Sequence, residues 1–313
     1  MPNWNEITRL MDIRALRYFV ELVEQQSFTR ASERLFVTQP TISKMVRNLE
    51  EELSLPLLNR QGHRLQTTDY GQAVYQRAKT ILAELSQLKA ELQDLQSLQG
   101  GQLRIGIPPM VGQVYAPLFR RYRERYPAVE ISIVEYGGRQ IEQVLEQGEL
   151  DLAITMLPAR NSAAFEALEL AVHPVMAVLP DVPHWQTGSS AHANDDTAIP
   201  LSTLQEQPFL LYTQAFTLSE RLAQACTECG FTPQVAARSS QWDFLAAMVR
   251  SGMGIAFLPE PICQRLGRDG VVIRPLSPAI EWRLGVIWPK GRYLSRTAEA
   301  WLELCNEIIN KIK

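Results

Sequence analysis

The chain has 313 residues, 46% of them hydrophobic and 21% charged, which suits a globular protein of two domains or a discontinuous pair and excludes collagen-like, low-complexity and wholly disordered classes. Its 31 basic and 34 acidic residues leave a formal net charge of −3, and residues 1–100 hold 12 of each sign, so nucleic-acid binding here would fall to a local patch and not to bulk charge. No apolar run approaches a membrane helix (Ala171–Leu179 is broken by His173 and Pro174), the first ten residues lack the apolar core of a secretory signal, and Cys226, Cys229, Cys263 and Cys305 read as reduced thiols, so a cytoplasmic chain free of membrane contact is expected.

From Ile13 to Val23, Leu16, Phe19, Val20 and Val23 recur at helical spacing and predict one buried face. Ser27 can cap a short second helix over Phe28–Leu35, with Ala31 and Leu35 inward. After a turn at Phe36 and Val37, Thr38 is placed to cap a third helix. Pro40 falls in its first turn, where a missing amide costs nothing, and Ile42, Val46, Leu49 and Leu53 form its buried stripe. The opposite face carries Gln39, Thr41, Ser43, Lys44 and Arg47. Two helices and a turn of this size can set such a face in a DNA major groove, although a merely solvated face has the same periodicity.

Leu57–Gln66, with Gly62 at its centre and Arg60, His63 and Arg64 along it, reads as a two-stranded wing. Thr67 or Thr68 then caps a long helix in which Val74, Ala78, Ile81, Leu85, Leu88, Leu92 and Leu95 keep a heptad. Such a seam calls for a partner helix and so for a dimer, the alternative being packing on its own domain. Gly100 and Gly101 close it. Beyond them strand and helix alternate: strands at Gln102–Ile107, Glu130–Tyr136, Leu150–Met156, Val175–Leu179, Gly252–Leu258 and Trp282–Trp288, and helices at Val114–Tyr126, Arg139–Gln147, Leu218–Cys229, Trp242–Ser251 and Thr297–Ile309. That alternation predicts parallel strands with crossover helices.

Enzyme chemistry lacks its parts: no G-x-S-x-G, P-loop or H-E-x-x-H occurs, and Gly252-Met-Gly254 lacks the third glycine of a dinucleotide loop. No cofactor or metal is expected. Cys226-Thr-Glu-Cys229 falls at the predicted C-terminus of a helix, whereas a reactive C-x-x-C wants the N-terminal end, where the helix dipole stabilises a thiolate.

Leu16-Arg-Tyr-Phe-Val, Ser27-Phe-Thr-Arg-Ala31, Leu35, Val37-Thr-Gln-Pro40, Ser43, Leu49-Glu-Glu-Glu-Leu53, Pro56-Leu57, Arg60, Leu65-Gln-Thr-Thr and Gly71 together resemble the N-terminal signature of LysR-type transcriptional regulators. Gly100-Gly-Gln-Leu-Arg-Ile-Gly-Ile107, Phe119, Tyr126-Pro127, Gly148-Glu-Leu-Asp-Leu-Ala-Ile154 and Val249-Arg-Ser-Gly-Met-Gly-Ile-Ala-Phe-Leu-Pro259 resemble the family's effector domain more loosely. The resemblance implies an α/β chain with an N-terminal winged helix-turn-helix (residues 11–67), a dimerising linker helix (68–99) and a C-terminal effector-binding domain (101–313). That domain resembles periplasmic binding proteins, with two Rossmann-like subdomains: I (101–166 and 273–313) and II (167–272). Family chains commonly begin near Met11, which makes residues 1–10 an extension or an upstream start. Ser32 and Ser54 stand where the family commonly has Ala and Gly, and Pro108-Pro109 where many members have Ser or Thr.

What the resemblance implies for function is a homodimer or homotetramer on an interrupted palindromic operator of double-stranded DNA, with RNA polymerase as a further partner if the protein activates. Thr38, Gln39, Pro40, Thr41, Ser43, Lys44 and Arg47 would meet the major groove, and Arg60, His63 and Arg64 the backbone or minor groove. A small-molecule effector would lie between the subdomains, against Pro108, Pro109, Met110, Val111, Gly112, Tyr136, Gly137, Thr155, Met156, Thr213, Gln214, Ser240, Trp242 and Phe257. With Gly112 opening the next helix, its amides and the side chains of Thr155, Thr213, Gln214 and Ser240 suit an anion. PPMVG resembles the same segment of members answering to small carboxylates, so a small organic acid is the expected effector, ahead of an aromatic compound stacked on Trp242 or Tyr136.

Overall fold

A computed structural model of the chain describes residues 12–59, 65–96, 101–186, 198–267 and 269–312. They fall into two compact units, residues 1–92 and 93–313.

In the first unit, α1 (Ile13–Gln25) is capped by Asp12, whose Oδ1 accepts from the Arg14 amide at 2.8 Å. It buries Leu16, Phe19, Val20 and Leu22. Ser27 caps α2 (Phe28–Leu35), accepting from the Arg30 amide at 3.4 Å. Ser32, in place of the family's alanine, is buried because its Oγ donates to the Thr29 carbonyl at 2.8 Å. α3 (Gln39–Leu53) follows the turn, with Ile42, Val46 and Leu49 inward. Thr38 holds the cap position but makes no side-chain cap bond; its Oγ1 lies 2.9 Å from Thr41 Oγ1, and hydroxyl pairing replaces the expected cap.

The wing strands β1 (Leu58–Asn59) and β2 (Gln66–Thr67) pair antiparallel. Of the two candidates it is Thr68 that caps α4 (Asp69–Gln96), accepting from the Gly71 amide at 3.0 Å. Gly71 must be glycine, since a Cβ there would lie 2.0 Å from the Leu57 carbonyl oxygen. The heptad seam divides in two. Ala78 is buried in the winged-helix core, and Val74 and Ile81 pack against it, so this half serves its own domain, contrary to the expectation of one continuous intersubunit seam. Leu88 and Leu92 stay 50% and 49% exposed.

In the second unit, β3 (Gly101–Ile107) pairs parallel with β4 (Val129–Glu135) and β5 (Leu152–Met156), crossed by α5 (Pro109–Arg125) and α6 (Gly138–Glu146). The long strand β6 (Phe165–Pro180) lies antiparallel to β12 (Glu281–Pro289) through Phe165–Pro174, then switches neighbours. From Val175 it pairs with β10 (Ile255–Pro259), and over Met176–Pro180 with β11 (Val271–Ser277), which also holds the two-residue β7 (Ile199–Pro200). Parallel strands β10, β8 (Pro208–Tyr212) and β9 (Gln234–Ser239) complete this half with α7 (Thr217–Glu228) and α8 (Trp242–Arg250). Along the one ten-stranded path, in which β6 links β12 to β10, strand pairing therefore passes from one half to the other at Pro174/Val175 and between β11 and β12, whereas the sequence reading divides the halves after residues 166 and 272. The reason is that β6 is one uninterrupted strand in which Pro174 ends one set of neighbours without ending the strand. α9 (Arg296–Ile312) returns to the first half, where Trp301 packs on Phe119 and Tyr122 at ring distances of 4.7 and 5.1 Å.

Candidate DNA interface and effector cleft

On α3, Gln39, Pro40, Thr41, Lys44 and Arg47 are exposed together with Thr38, and Ser43 is half-buried. The apolar stripe on the far side of the helix fixes this orientation. Gln39 Nε2 donates to Thr29 Oγ1 at 3.1 Å, which brings Thr29 and exposed Arg30, two residues missed in the sequence, to the start of the same face. Their sequence signals are the Ser27 cap, which places them in the first turn of α2, and their place within the Ser27–Ala31 stretch of the family signature. Arg47 also borders an open groove of about 590 Å³ between α3 and β1. The groove floor is fixed by Glu50, whose Oε1 accepts from the Leu57 and Leu58 amides at 2.8 and 3.1 Å. Arg60, His63 and Arg64 lie outside the described residues.

In the effector domain the carboxyl ends of β4 and β5 lie against the segment that joins β8 to α7. The two meet at Gly137, where a Cβ would lie 2.4 Å from the Ala215 carbonyl oxygen. Next to it, a Cβ on Gly138 would sit 3.2 Å from Thr155 Oγ1 and 3.0 Å from Thr217 Oγ1, so glycine lets the start of α6 pack closely on two hydroxyls from opposite subdomains. Thr155 is 1% exposed and its Oγ1 has no hydrogen-bond partner; an unpaired buried hydroxyl is costly and calls for an explanation. α6 begins here, with Gly137 at its cap position and no side-chain cap bond. In its first turn the Gln140 amide already bonds the Gly137 carbonyl at 3.0 Å, which leaves the amides of Gly138 and Arg139, at the positive end of the helix dipole, as the donors a ligand could use.

The expected anion site at α5 needs correcting. The helix opens at Pro109 with Pro108 as its cap residue, three residues before Gly112. Two prolines remove two donors, and the Val111 amide already bonds the Pro108 carbonyl at 2.9 Å. Gly112 lies inside the first turn, and Met110 and Val111 are core residues. Phe257 is also core, 1% exposed and 5.0 Å from the Phe209 ring, because every position of β10 is buried and its side chain faces its own subdomain. Met156 is buried, Tyr136 and Trp242 are half-buried against the cores, Thr213 is half-buried, and Gln214 and Ser240 are exposed. The Thr213 amide ties the cleft loop to the Ser239 carbonyl at 3.2 Å.

Across the mouth of the cleft Arg139, in the first turn of α6, forms an ion pair with Glu220 in the first turn of α7. Arg160 Nη2 lies 3.9 Å from the same Glu220 Oε1. Arg160 comes from a loop held by the buried carboxylate of Glu142, which accepts from the Arg160 amide at 3.1 Å. Burial pushes the Glu142 pKa up while the Arg160 and Asn161 amides pull it back. Arg139, Thr217 and Glu220 escaped the sequence reading because they become a site only when the two subdomains meet.

Cys226 lies in the last turn of α7 and Cys229 at its C-cap. Burial pushes the Cys226 thiol up to about 11, and those of Cys263 and Cys305 up to about 12. Among the described residues no group of His, Cys, Asp and Glu is arranged to hold a metal ion, and no helix is long and apolar enough to cross a membrane.

A winged helix-turn-helix followed by a two-lobed α/β clamp defines a one-component regulator, in which DNA reading and ligand sensing share one chain. Comparison with known proteins agrees: the model of the bacterial regulatory helix-turn-helix protein, lysR family, matches residues 13–72, and that of the LysR substrate binding domain matches residues 96–309. The chain belongs to the LysR family of transcriptional regulators. It is 39% identical over 301 residues to the HTH-type transcriptional regulator YwbI of Bacillus subtilis, covering 94% of this chain and 95% of that one. To the DNA-binding transcriptional dual regulator OxyR of Escherichia coli it is 29% identical over 296 residues, 94% of each chain. Among solved structures it resembles HinK, a LysR family regulator from Pseudomonas aeruginosa, with a TM-score of 0.57 and 26% identity over 96% of this chain and 99% of that one. It is therefore a DNA-binding transcriptional regulator with an effector-binding domain, and not an enzyme.

Proposed function

We propose that the effector of this regulator is a small organic acid bound between the two subdomains, and that it controls how an oligomer presents α3 to an interrupted palindromic operator. The observation that carries the ligand reading is Thr155: a fully buried hydroxyl without a partner, beside the start of α6, at the point where Gly138 brings hydroxyls of both subdomains together and where parting of the subdomains would admit a ligand. A carboxylate there accepts from the Thr155 and Thr217 hydroxyls and from first-turn amides, and the helix dipole favours its charge. An aromatic effector stacked on Trp242 or Tyr136 is less favoured, since both rings already pack against the cores. A thiol-based response to oxidant, considered because some relatives are hydrogen peroxide-inducible genes activators, is disfavoured by thiols that burial pushes up at Cys226, Cys263 and Cys305.

On DNA, Gln39 and Arg47 are assigned to base edges, and Ser43, Lys44, Thr38 and Thr41 to phosphates or adjoining bases, with Pro40 against a thymine methyl. Thr29 and Arg30 extend the phosphate contact. RNA polymerase is the further partner at promoters the protein activates. The test is a thermal-shift panel of small mono- and dicarboxylates and their neutral amides on the wild-type chain and Thr155→Val. Acids should raise the wild-type midpoint and do so less for the variant; a panel in which only neutral or aromatic compounds bind, or in which Thr155→Val binds acids unchanged, would sink the reading.

A further inference from the structure

We infer that Arg139 and Arg160 form a carboxylate-binding pair at the mouth of the cleft, that Glu220 of the opposite subdomain occupies it as a tethered stand-in, and that an acidic effector acts by taking Glu220's place. The inference rests on the organic-acid reading of the cleft.

Two guanidinium groups of one subdomain converge on a single carboxylate oxygen of the other: Arg139 pairs with Glu220 directly, and Arg160 Nη2 stands 3.9 Å from Glu220 Oε1. Guanidinium is permanently charged, presents a planar fork that matches a carboxylate, and does not distinguish a carboxylate on the chain from one on a ligand. Both arginines are held from below. Arg139 is in the first turn of α6, next to Gly138, which packs on Thr155 and Thr217. The Arg160 loop is anchored by Glu142 through the Arg160 amide and by Asn161 Nδ2, which donates to Glu146 Oε1 at 2.8 Å. The Thr155 hydroxyl, buried without a hydrogen-bond partner and packed on Gly138 beside Arg139, is an independent polar group at the same subdomain junction.

The clasp is built to be displaced. The side chains of Arg139, Arg160 and Glu220 are 42%, 60% and 35% exposed, so a ligand reaches them from solvent and the ion pair is of the weak, hydrated kind. A free acid that also satisfies Thr155 and the amides of α6 makes bonds that Glu220, fixed to α7, does not make. Once displaced, Glu220 no longer ties the start of α7 to the start of α6, so binding changes the force between the subdomains, and a ligand shifts a conformational equilibrium only through such a difference. Neutral amides cannot take the place of Glu220, which makes the clasp a filter for charge.

Isothermal titration on the full chain tests this, with acetate, succinate, citrate and benzoate as probes and succinamide as the neutral control. Wild type, Glu220→Gln, Arg139→Gln and Arg160→Gln are compared, each checked for native circular dichroism. Removing the tethered competitor should tighten carboxylate binding by about tenfold in Glu220→Gln, because the binding-competent fraction rises, and loss of either guanidinium should weaken it by a similar factor. Succinamide should bind none of them. Carboxylates that bind all four proteins equally, yet fail on Thr155→Val, would overturn the clasp and leave the cleft standing. Weakening in the arginine variants with no gain in Glu220→Gln would overturn displacement. Carboxylates that bind no variant would overturn both.

Discussion

Ser54 carries a φ of 53° at the C-cap of α3, in the left-handed region where a Cβ costs roughly 1 kcal/mol and glycine costs nothing. The family's usual glycine thus has a conformational reason. Ser54→Gly should raise the unfolding free energy of the winged-helix unit by about 1 kcal/mol in urea titrations, and an unchanged or lowered midpoint would refute that account. Gln39 and Arg47 are exposed and outside the core, so their alanine variants should keep their melting points yet lose roughly 1–3 kcal/mol of operator affinity in gel shifts at fixed salt. The buried thiols make a prediction of the opposite kind. Folding raises Cys226 to about 11 and Cys263 and Cys305 to about 12 from an ordinary 9.0. A raised pKa means the native chain holds the proton longer, so this stability is fully present below about pH 9 and is lost as pH climbs through the folded values. Half-buried Tyr115 and buried Tyr212, also pushed up by desolvation, act with the same sign. Urea melts between about pH 8 and 11 should therefore show falling stability; a flat profile would contradict the burial of these groups. Such residues differ in how far sequence discloses them. Gln39 and Arg47 are legible because helical periodicity assigns each position a face. Phe257 is not: in the all-buried run Ile255–Pro259 no alternation says which way a side chain points.

α4 shows why a heptad by itself underdetermines a partner. Val74, Ala78 and Ile81 keep the same spacing as Leu88 and Leu92, but the first three pack with the core of their own domain and the last two remain half exposed. Ala78→Asp should accordingly unfold the winged-helix unit, a buried unpaired carboxylate being among the most destabilising substitutions. Leu88→Asp with Leu92→Asp should leave the monomer's circular dichroism and its first-unit melting intact while dissociating the oligomer. Light scattering that still reports oligomers for the double variant would place the interface elsewhere. The spans of α1, α2 and α3 were readable because capping residues and apolar stripes are local. Strand β6 is legible only over Val175–Leu179, since His173 and Pro174 resemble punctuation. The strand runs on because Pro174 falls where β6 leaves β12 for β10 and β11, a change of neighbours that only tertiary structure records. β8, β9 and β11 were likewise passed over as separate elements, being short segments of five to seven residues whose pairing is entirely non-local.

The chain's two compact units have separate cores. Leu16, Phe19, Ile42 and Leu49 belong to one cluster, and Leu103, Ile154, Phe209, Leu284 and Trp301 to another that runs through both effector subdomains along β6 and β12. Separate cores give separate cooperative transitions, whereas the two effector subdomains share core residues and strands and should melt as one. Calorimetry of the full chain is expected to show two endotherms. A ligand stabilises only the unit whose folded form binds it, by about 2.7 kcal/mol when present at a hundredfold over its dissociation constant. Operator DNA should therefore raise the endotherm of the winged-helix unit, and an effector acid the endotherm of the C-terminal unit. Thr155→Val sharpens the test because its two effects have opposite signs. Removing an unpaired buried hydroxyl at nearly constant shape should raise the C-terminal midpoint of the free protein, by an amount on the order of 1 kcal/mol, and should blunt the further rise that the acid produces. A variant that lowers the free midpoint would mean that Thr155 is paired in solution. A variant that leaves the acid-induced rise intact would move the effector away from the junction beside Gly138, whatever the operator does to the first transition.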